Sequence, residues 1–168
     1  MDPQPFPLDF DLETTLPYLL NRAGVRIGQS FTGELERHRL SLAEWRLLAA
    51  LLKREAQTLS ELAAHTSLEL SRTSRLVGGL EERGLLRRQA SGADGRAVEL
   101  SLTRAGRAAA QQIVPLAQLY ERVALSGMTN EEVQVLKRLL VKVYDNMNAL
   151  HASAPGRARR QSAKAKGR

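Results

Sequence analysis

Apolar residues recur every three or four positions along Leu16, Leu20, Ala23, Ile27, Phe31 and Leu35, the period of one face of a helix. This stripe predicts a first helix over about 15–38, with Thr14 or Thr15 as its cap and Pro17 in its first turn. A second stripe, Leu136, Leu139, Leu140, Val143, Met147 and Leu150, predicts the last helix. Between them the period changes. Val98, Leu100 and Leu102 alternate with Ala97, Glu99 and Ser101, which is the pattern of a half-buried strand. Leu85 to Gln89 reads as its partner, and the turn-forming residues from Ala90 to Gly95 make the pair a β-hairpin.

Helix starts are marked by three Ser/Thr-x-x-Glu patterns: Ser41–Glu44, Thr58–Glu61 and Thr129–Glu132. In each the hydroxyl can accept the amide three residues on, and the carboxylate returns the bond. The second helix then reaches about Arg54, and a short third one ends near His65. A fourth helix runs from about Glu69 to Arg83, with Gly84 as its stop. Thr103 caps a fifth helix running to about Leu125, and Pro115 inside it is expected to kink it. Three prolines before Asp11 predict an extended arm over 1–11, and the stretch beyond Ala152 reads as a low-complexity basic tail without fixed structure.

The expected fold is mainly α with a small β-hairpin wing: a winged helix-turn-helix over about 41–103, flanked by helices at about 15–38 and 104–150. In such a motif the second helix of the pair enters the DNA major groove. On the fourth helix Leu70, Thr73, Leu76, Val77 and Leu80 gather on one side, leaving Ser71, Arg72, Arg75, Gly78, Gly79 and Glu82 on the other. Arginine pairs bidentately with guanine or phosphate, and Ser71, Thr73 and Ser74 are short enough to bond phosphates. Asp94-Gly95-Arg96 sits at the hairpin tip. An arginine there suits a narrow minor groove; a surface turn with an incidental ion pair is the alternative.

The net charge is +7 with a pI near 10.4, yet six of the cations lie beyond residue 152 with no acid among them. The remaining body is nearly neutral, so the charge alone does not define a nucleic-acid surface. The tail either adds salt-dependent attraction to phosphates or only solubilises the chain. There is no cysteine, which excludes disulfides, cysteine zinc sites and thiol-based redox sensing. No apolar run approaches the ~20 residues of a membrane span, and a cytoplasmic location is expected. His38, His65 and His151 stand in no metal or triad spacing, and phosphate-binding, metalloprotease and nucleophile-elbow motifs are missing. No catalysis and no cofactor are expected.

The run Leu80-Glu81-Glu82-Arg83-Gly84-Leu85-Leu86-Arg87-Arg88, then Asp94-Gly95-Arg96, then Leu102-Thr103-Arg104-Ala105-Gly106 resembles the MarR family of regulators, and the resemblance extends over about 12–150. It implies an obligate homodimer joined through its first, fifth and sixth helices, a pseudo-palindromic operator, and release by a small ligand. It places Ser71, Arg72, Ser74 and Arg75 on the recognition helix, Asp94 and Arg96 on the wing, and Arg88 at a basic position ending the first strand. Gly78-Gly79 departs from the charged or polar pair common there. Either a phosphate contact is missing or the backbone approaches DNA closely.

The apolar stripes of the first and last helices lie outside the winged unit and need a cover. A two-fold partner provides one; helices folded back on a monomer are the alternative. The resemblance puts an effector site between the dimer helices and the winged unit, with Asn21, Arg22, Arg26, His38, Trp45 and Arg46 as candidates. Arg22 or Arg26 beside Trp45 would suit a small aromatic carboxylate, free or joined to a carrier. The expected function is a repressor binding double-stranded DNA. An activator or a winged-helix protein-interaction module remain alternatives.

Overall fold

The structure is a computed structural model that describes residues 11–90 and 98–153. The element order is a 3-10 turn (Leu12–Thr14), α1 (Leu16–Arg37), α2 (Leu42–Lys53), β1 (Gln57–Thr58), α3 (Leu59–Thr66), α4 (Leu70–Glu82), β2 (Leu86–Ala90), β3 (Val98–Leu102), α5 (Arg104–Ala124) and α6 (Asn130–Ser153). The mainly helical winged helix-turn-helix is therefore present. The proline-rich arm, the wing tip 91–97 with Asp94 and Arg96, and the basic tail beyond Ser153 lie outside the described residues.

All three capping boxes form. The Glu44, Glu61 and Glu132 carboxylates accept the amides of Ser41, Thr58 and Thr129 at 2.7–2.8 Å. The hydroxyls accept the returning amides at 3.2–3.3 Å. At the start of α1 Thr15 is the N-cap, but its hydroxyl donates backwards to the Leu12 carbonyl instead of capping the helix. Helix α5 runs unbroken through Pro115.

The expected hairpin is one part of a three-stranded antiparallel sheet of order β1-β3-β2. Leu86 pairs with Leu102 and Ala90 with Val98, while Gln57 of β1 pairs with Leu100. The third strand escapes the hydrophobic pattern because it is two residues long and has no apolar side chain. Its buried member, Gln57, works through hydrogen bonds. Its side-chain amide donates to the Ala50 and Arg54 carbonyls at 3.1 and 2.9 Å, tying β1 to the C-terminal end of α2, where Ala50 also accepts the Arg54 amide. Its oxygen faces His65 Nδ1 at 3.3 Å, so His65 braces α3 against β1 instead of facing only its own helix end.

The first unit of the chain ends at Ala124. Its core joins Leu47, Leu48 and Leu51 of α2 to Leu62, Val77, Leu80, Leu86 and Leu100 of the winged motif and to Ala110 and Ile113 of α5. Phe31 of α1 packs edge-on against Trp45 at 6.2 Å and tilts against Tyr120 at 5.3 Å. The Leu-Thr-x-x-Gly segment fixes how α5 leaves the sheet. Thr103 Oγ1 donates to the Gly84 carbonyl at 2.7 Å and accepts from the Gly106 amide at 3.0 Å. A Cβ on Gly106 would stand 1.9 Å from the Leu85 carbonyl oxygen, so no larger residue fits.

The second unit, from Leu125 on, contains α6. Among its described side chains none is buried, and Leu139, Leu140, Val141, Tyr144, Met147 and Leu150 are exposed.

Candidate nucleic-acid interface

The turn between α3 and α4 sets the direction of the second helix. Ser67 is left-handed (φ 54°) and Leu68 returns its amide to the Ala63 carbonyl at 3.0 Å, the pattern of a helix closed by a left-handed residue. Helix α4 then buries Thr73, Val77 and Leu80. At about 100° per residue this inner face leaves Ser71, Arg75, Gly78 and Glu82 pointing away from the core, flanked by Ser74, Arg72 and Gly79. Ser71, Arg72 and Arg75 are exposed, and Ser74 is half-buried. Neither arginine has an ion-pair partner among the described residues, so both guanidinium groups are open to an external anion or base edge.

One expectation needs correction. Thr73 is fully buried, and its hydroxyl donates to the Glu69 carbonyl at 2.9 Å. It is a core residue of the helix, with no hydroxyl left to offer a phosphate. Arg88, on β2, is held by Glu81 of α4 through Nε at 2.8 Å. It ties the wing strand to the recognition helix. Glu81 thus acts in this region although the sequence does not mark it out, because the pair is made between a helix and a strand.

The effector candidates do not share one place. Trp45 turns into a cleft of about 260 Å³ between α2 and α5, lined also by Ala49, Leu52, Lys53, Val114 and Gln118. Asn21 and Arg46 line a separate groove between α1 and α2, of about 440 Å³, with Val25, Gln29 and Thr32. Arg22 and Arg26 lie on the outer face of α1, where with Asn21 they line a further hollow of about 530 Å³, and Arg22 sits over the Tyr18 ring at 5.6 Å. That face is opposite Phe31, the ring that touches Trp45. The expected pairing of Arg22 or Arg26 with Trp45 is therefore not made within one chain, because helical phase directs them apart. His38 is the C-cap of α1 and lines neither cleft.

Among the described residues no group of His, Cys, Asp or Glu is placed to hold a metal, and no helix is long and apolar enough to cross a membrane. The carboxylates of Glu61 and Glu132 are held below the ordinary carboxylate value by the Thr58 and Thr129 amides first and by their hydroxyls second. Both are structural caps.

A short helix, a tight left-handed turn, a second helix with two unpaired arginines outward, and an antiparallel wing define a winged helix-turn-helix DNA-binding regulator. The profile of the MarR family matches residues 39–97. A MarR-family transcriptional regulator of known structure from Silicibacter pomeroyi is 31% identical, with a TM-score of 0.73 over 81% of this chain and 92% of that one. The chain belongs to the MarR family. It is also 28% identical, over 79% of its length and 80% of the other, to the HTH-type transcriptional repressor IacR of Pseudomonas putida. The structure of BpsR of Bordetella bronchiseptica, whose DNA binding is regulated by 6-hydroxynicotinic acid, superposes with a TM-score of 0.73 at 26% identity, over 81% of this chain and 97% of that one.

Proposed function

We propose that this protein is a transcriptional repressor that binds a pseudo-palindromic operator as a homodimer and is released by a small effector. The observation that carries the reading is the outward face of α4, where Arg72 and Arg75 are exposed and unpaired among the described residues. In this reading Arg75, central on that face between Ser71, Ser74 and Gly78, reads a base edge in the major groove. Arg72, on the flank, pairs with phosphate, and Ser71 and Ser74 add short phosphate contacts. Asp94 and Arg96 would carry the wing into the neighbouring minor groove.

The pairing of two copies is supported by apolar side chains exposed on the helices that precede and follow the winged unit in sequence, among them Leu16, Leu19 and Ile27 of α1 and Leu139, Met147 and Leu150 of α6. A lone soluble chain seldom leaves so much apolar surface in contact with water, and a second copy covers it. The relatives named as repressors support the sign of the regulation. For the effector, the α1/α2 groove brings Arg46 and Asn21 together, which suits one carboxylate and one further polar group. An aromatic carboxylate is the class that fits, in keeping with the hydroxynicotinic acid that regulates BpsR.

The test is a binding titration of Arg75→Ala on the genomic fragment that the wild-type protein protects. A base-reading Arg75 predicts a loss of ~1–3 kcal/mol on that fragment and little change on a scrambled duplex. An equal loss on both would move Arg75 to phosphate. No loss on either would remove α4 from the DNA interface.

A further inference from the structure

The C-terminal end of the recognition helix is gripped from outside the helix-turn-helix by one side chain. Arg83 is the C-cap of α4. Its Nη1 donates to Glu44 Oε1 at 2.9 Å and its Nη2 to the Arg39 carbonyl at 2.6 Å. The two acceptors belong to the corner where α1 ends and α2 begins. That corner is a Schellman turn built without glycine. Arg39 is left-handed (φ 55°), its amide donates to the Glu36 carbonyl at 2.9 Å, and Leu40 donates to the Leu35 carbonyl at 3.0 Å. A left-handed arginine costs roughly 1 kcal/mol, and the bend leaves its carbonyl meeting Arg83.

Glu44 is also committed. Its second oxygen closes the α2 capping box, accepting from both the amide and the hydroxyl of Ser41 at 2.7 Å. One carboxylate therefore fixes the first turn of α2 and the last turn of α4 together. The pair is partly shielded, with the Glu44 side chain 16% and the Arg83 side chain 36% exposed. A planar guanidinium can serve two acceptors in one fork, whereas an ammonium is a point donor. On the same last turn Glu81 holds Arg88 of β2. The end of α4 away from Ser71 and Arg72 is thus bound at two points, and its aim follows the α1–α2 corner. The α1/α2 groove opens above that corner, where a Cβ on Gly28 would already press within 3.0 Å of the Leu42 side chain.

We propose that Arg83 is a positioning residue for operator recognition: its fork to Glu44 and the Arg39 carbonyl transmits the geometry of the α1–α2 corner to the recognition helix. This rests on the reading of α4 as the DNA-reading helix. Arg83 itself contacts no base. Its loss lets α4 swing about its N-terminal turn, which lowers discrimination between operator and other DNA without unfolding the core.

The experiment compares full-length wild-type protein with Arg83→Gln, Arg83→Lys, Glu44→Gln and Arg75→Ala. Glu44→Gln keeps a side chain able to close the capping box while removing the charge that Arg83 meets. Each is titrated against the protected operator fragment and against a scrambled duplex of equal length in one buffer, and its thermal midpoint is recorded. Arg83→Gln and Glu44→Gln are expected to weaken operator binding about tenfold, equivalent to ~1.4 kcal/mol, with the scrambled duplex and the midpoint nearly unchanged. Arg83→Lys is expected to fall between these and wild type, because it keeps the Glu44 pair and gives up the second arm. Operator affinity equal to wild type in Arg83→Gln, a loss equal on both duplexes, or a loss that follows the thermal midpoint would overturn the proposal. If Arg75→Ala weakens operator binding and Arg83→Gln does not, the positioning role fails alone. If neither does, the reading of α4 fails and takes the positioning role with it.

Discussion

The winged unit and the helices that flank it solve the burial problem differently. From α2 through β3 the described chain buries its apolar residues, with Phe31 and Leu35 of α1 and Ala110 and Ile113 of α5 completing the core: Leu47, Leu48, Leu51, Leu62, Val77 and Leu80 are all at 0% exposure, and only Leu70 and Val98 are large apolar residues left open. The flanks do not close on themselves. The N-terminal part of α1, up to Ile27, exposes Leu16, Leu19, Leu20, Val25 and Ile27, the end of α5 exposes Leu119 and Val123, and α6 buries none of its described side chains. The winged unit, its core closed by α1 and α5, can present a polar, arginine-bearing face to a ligand such as DNA. A region left with apolar surface in water is, in the proposed reading, finished by another copy.

The contrast is tested most severely on the flank. Introducing charge by Leu139→Asp together with Met147→Asp should abolish pairing and operator binding while the winged unit stays folded. Sedimentation and helical circular dichroism would report both, and a doubly charged α6 that still sediments as a dimer would break the comparison. Where α5 leaves the winged unit the largest effect is expected at Gly106, where a methyl group would enter the Leu85 carbonyl. Gly106→Ala should cost about 3 kcal/mol by overpacking against backbone, read from denaturant unfolding. Gly78 lies at the other extreme, since a Cβ there meets nothing within 4 Å. Gly78→Ala should raise stability by ~0.5–1 kcal/mol, seen as a higher thermal midpoint.

The smallest effect is a pH dependence of the caps. Hydrogen bonds lower the Glu61 and Glu132 carboxyls below their ordinary value. A group whose folded value is depressed stabilises the fold above the ordinary carboxylate range, and that contribution is lost as pH falls through the folded value. Glu61→Gln should therefore flatten the fall of the thermal midpoint on acidification by slightly lowering the midpoint at neutral pH, the variant and wild type converging in acid.

Much of the fold was legible because it is coded locally. A capping box spans four residues, and the stripes of α1 and α6 repeat within a turn. The outward face of α4 was readable for the same reason. Thr73 was misread as a phosphate ligand because its hydroxyl outweighed its place on the apolar side of the helical wheel, and the structure follows the wheel. The same phase argument separates Trp45 from Arg22 and Arg26. What local pattern cannot carry is a contact between distant segments. Arg83 and Glu44 are 39 residues apart, and Gln57 holds a two-residue strand by side-chain hydrogen bonds. Neither leaves a periodic trace.

The central claim, that two chains finish each other's flanks and so present paired recognition helices, is met most directly by hydroxyl-radical footprinting of the full-length protein on its operator with the bound stoichiometry measured in parallel. The account predicts two chains per site and two protected stretches about one DNA turn, ~34 Å, apart. One chain protecting a single half-site would contradict it.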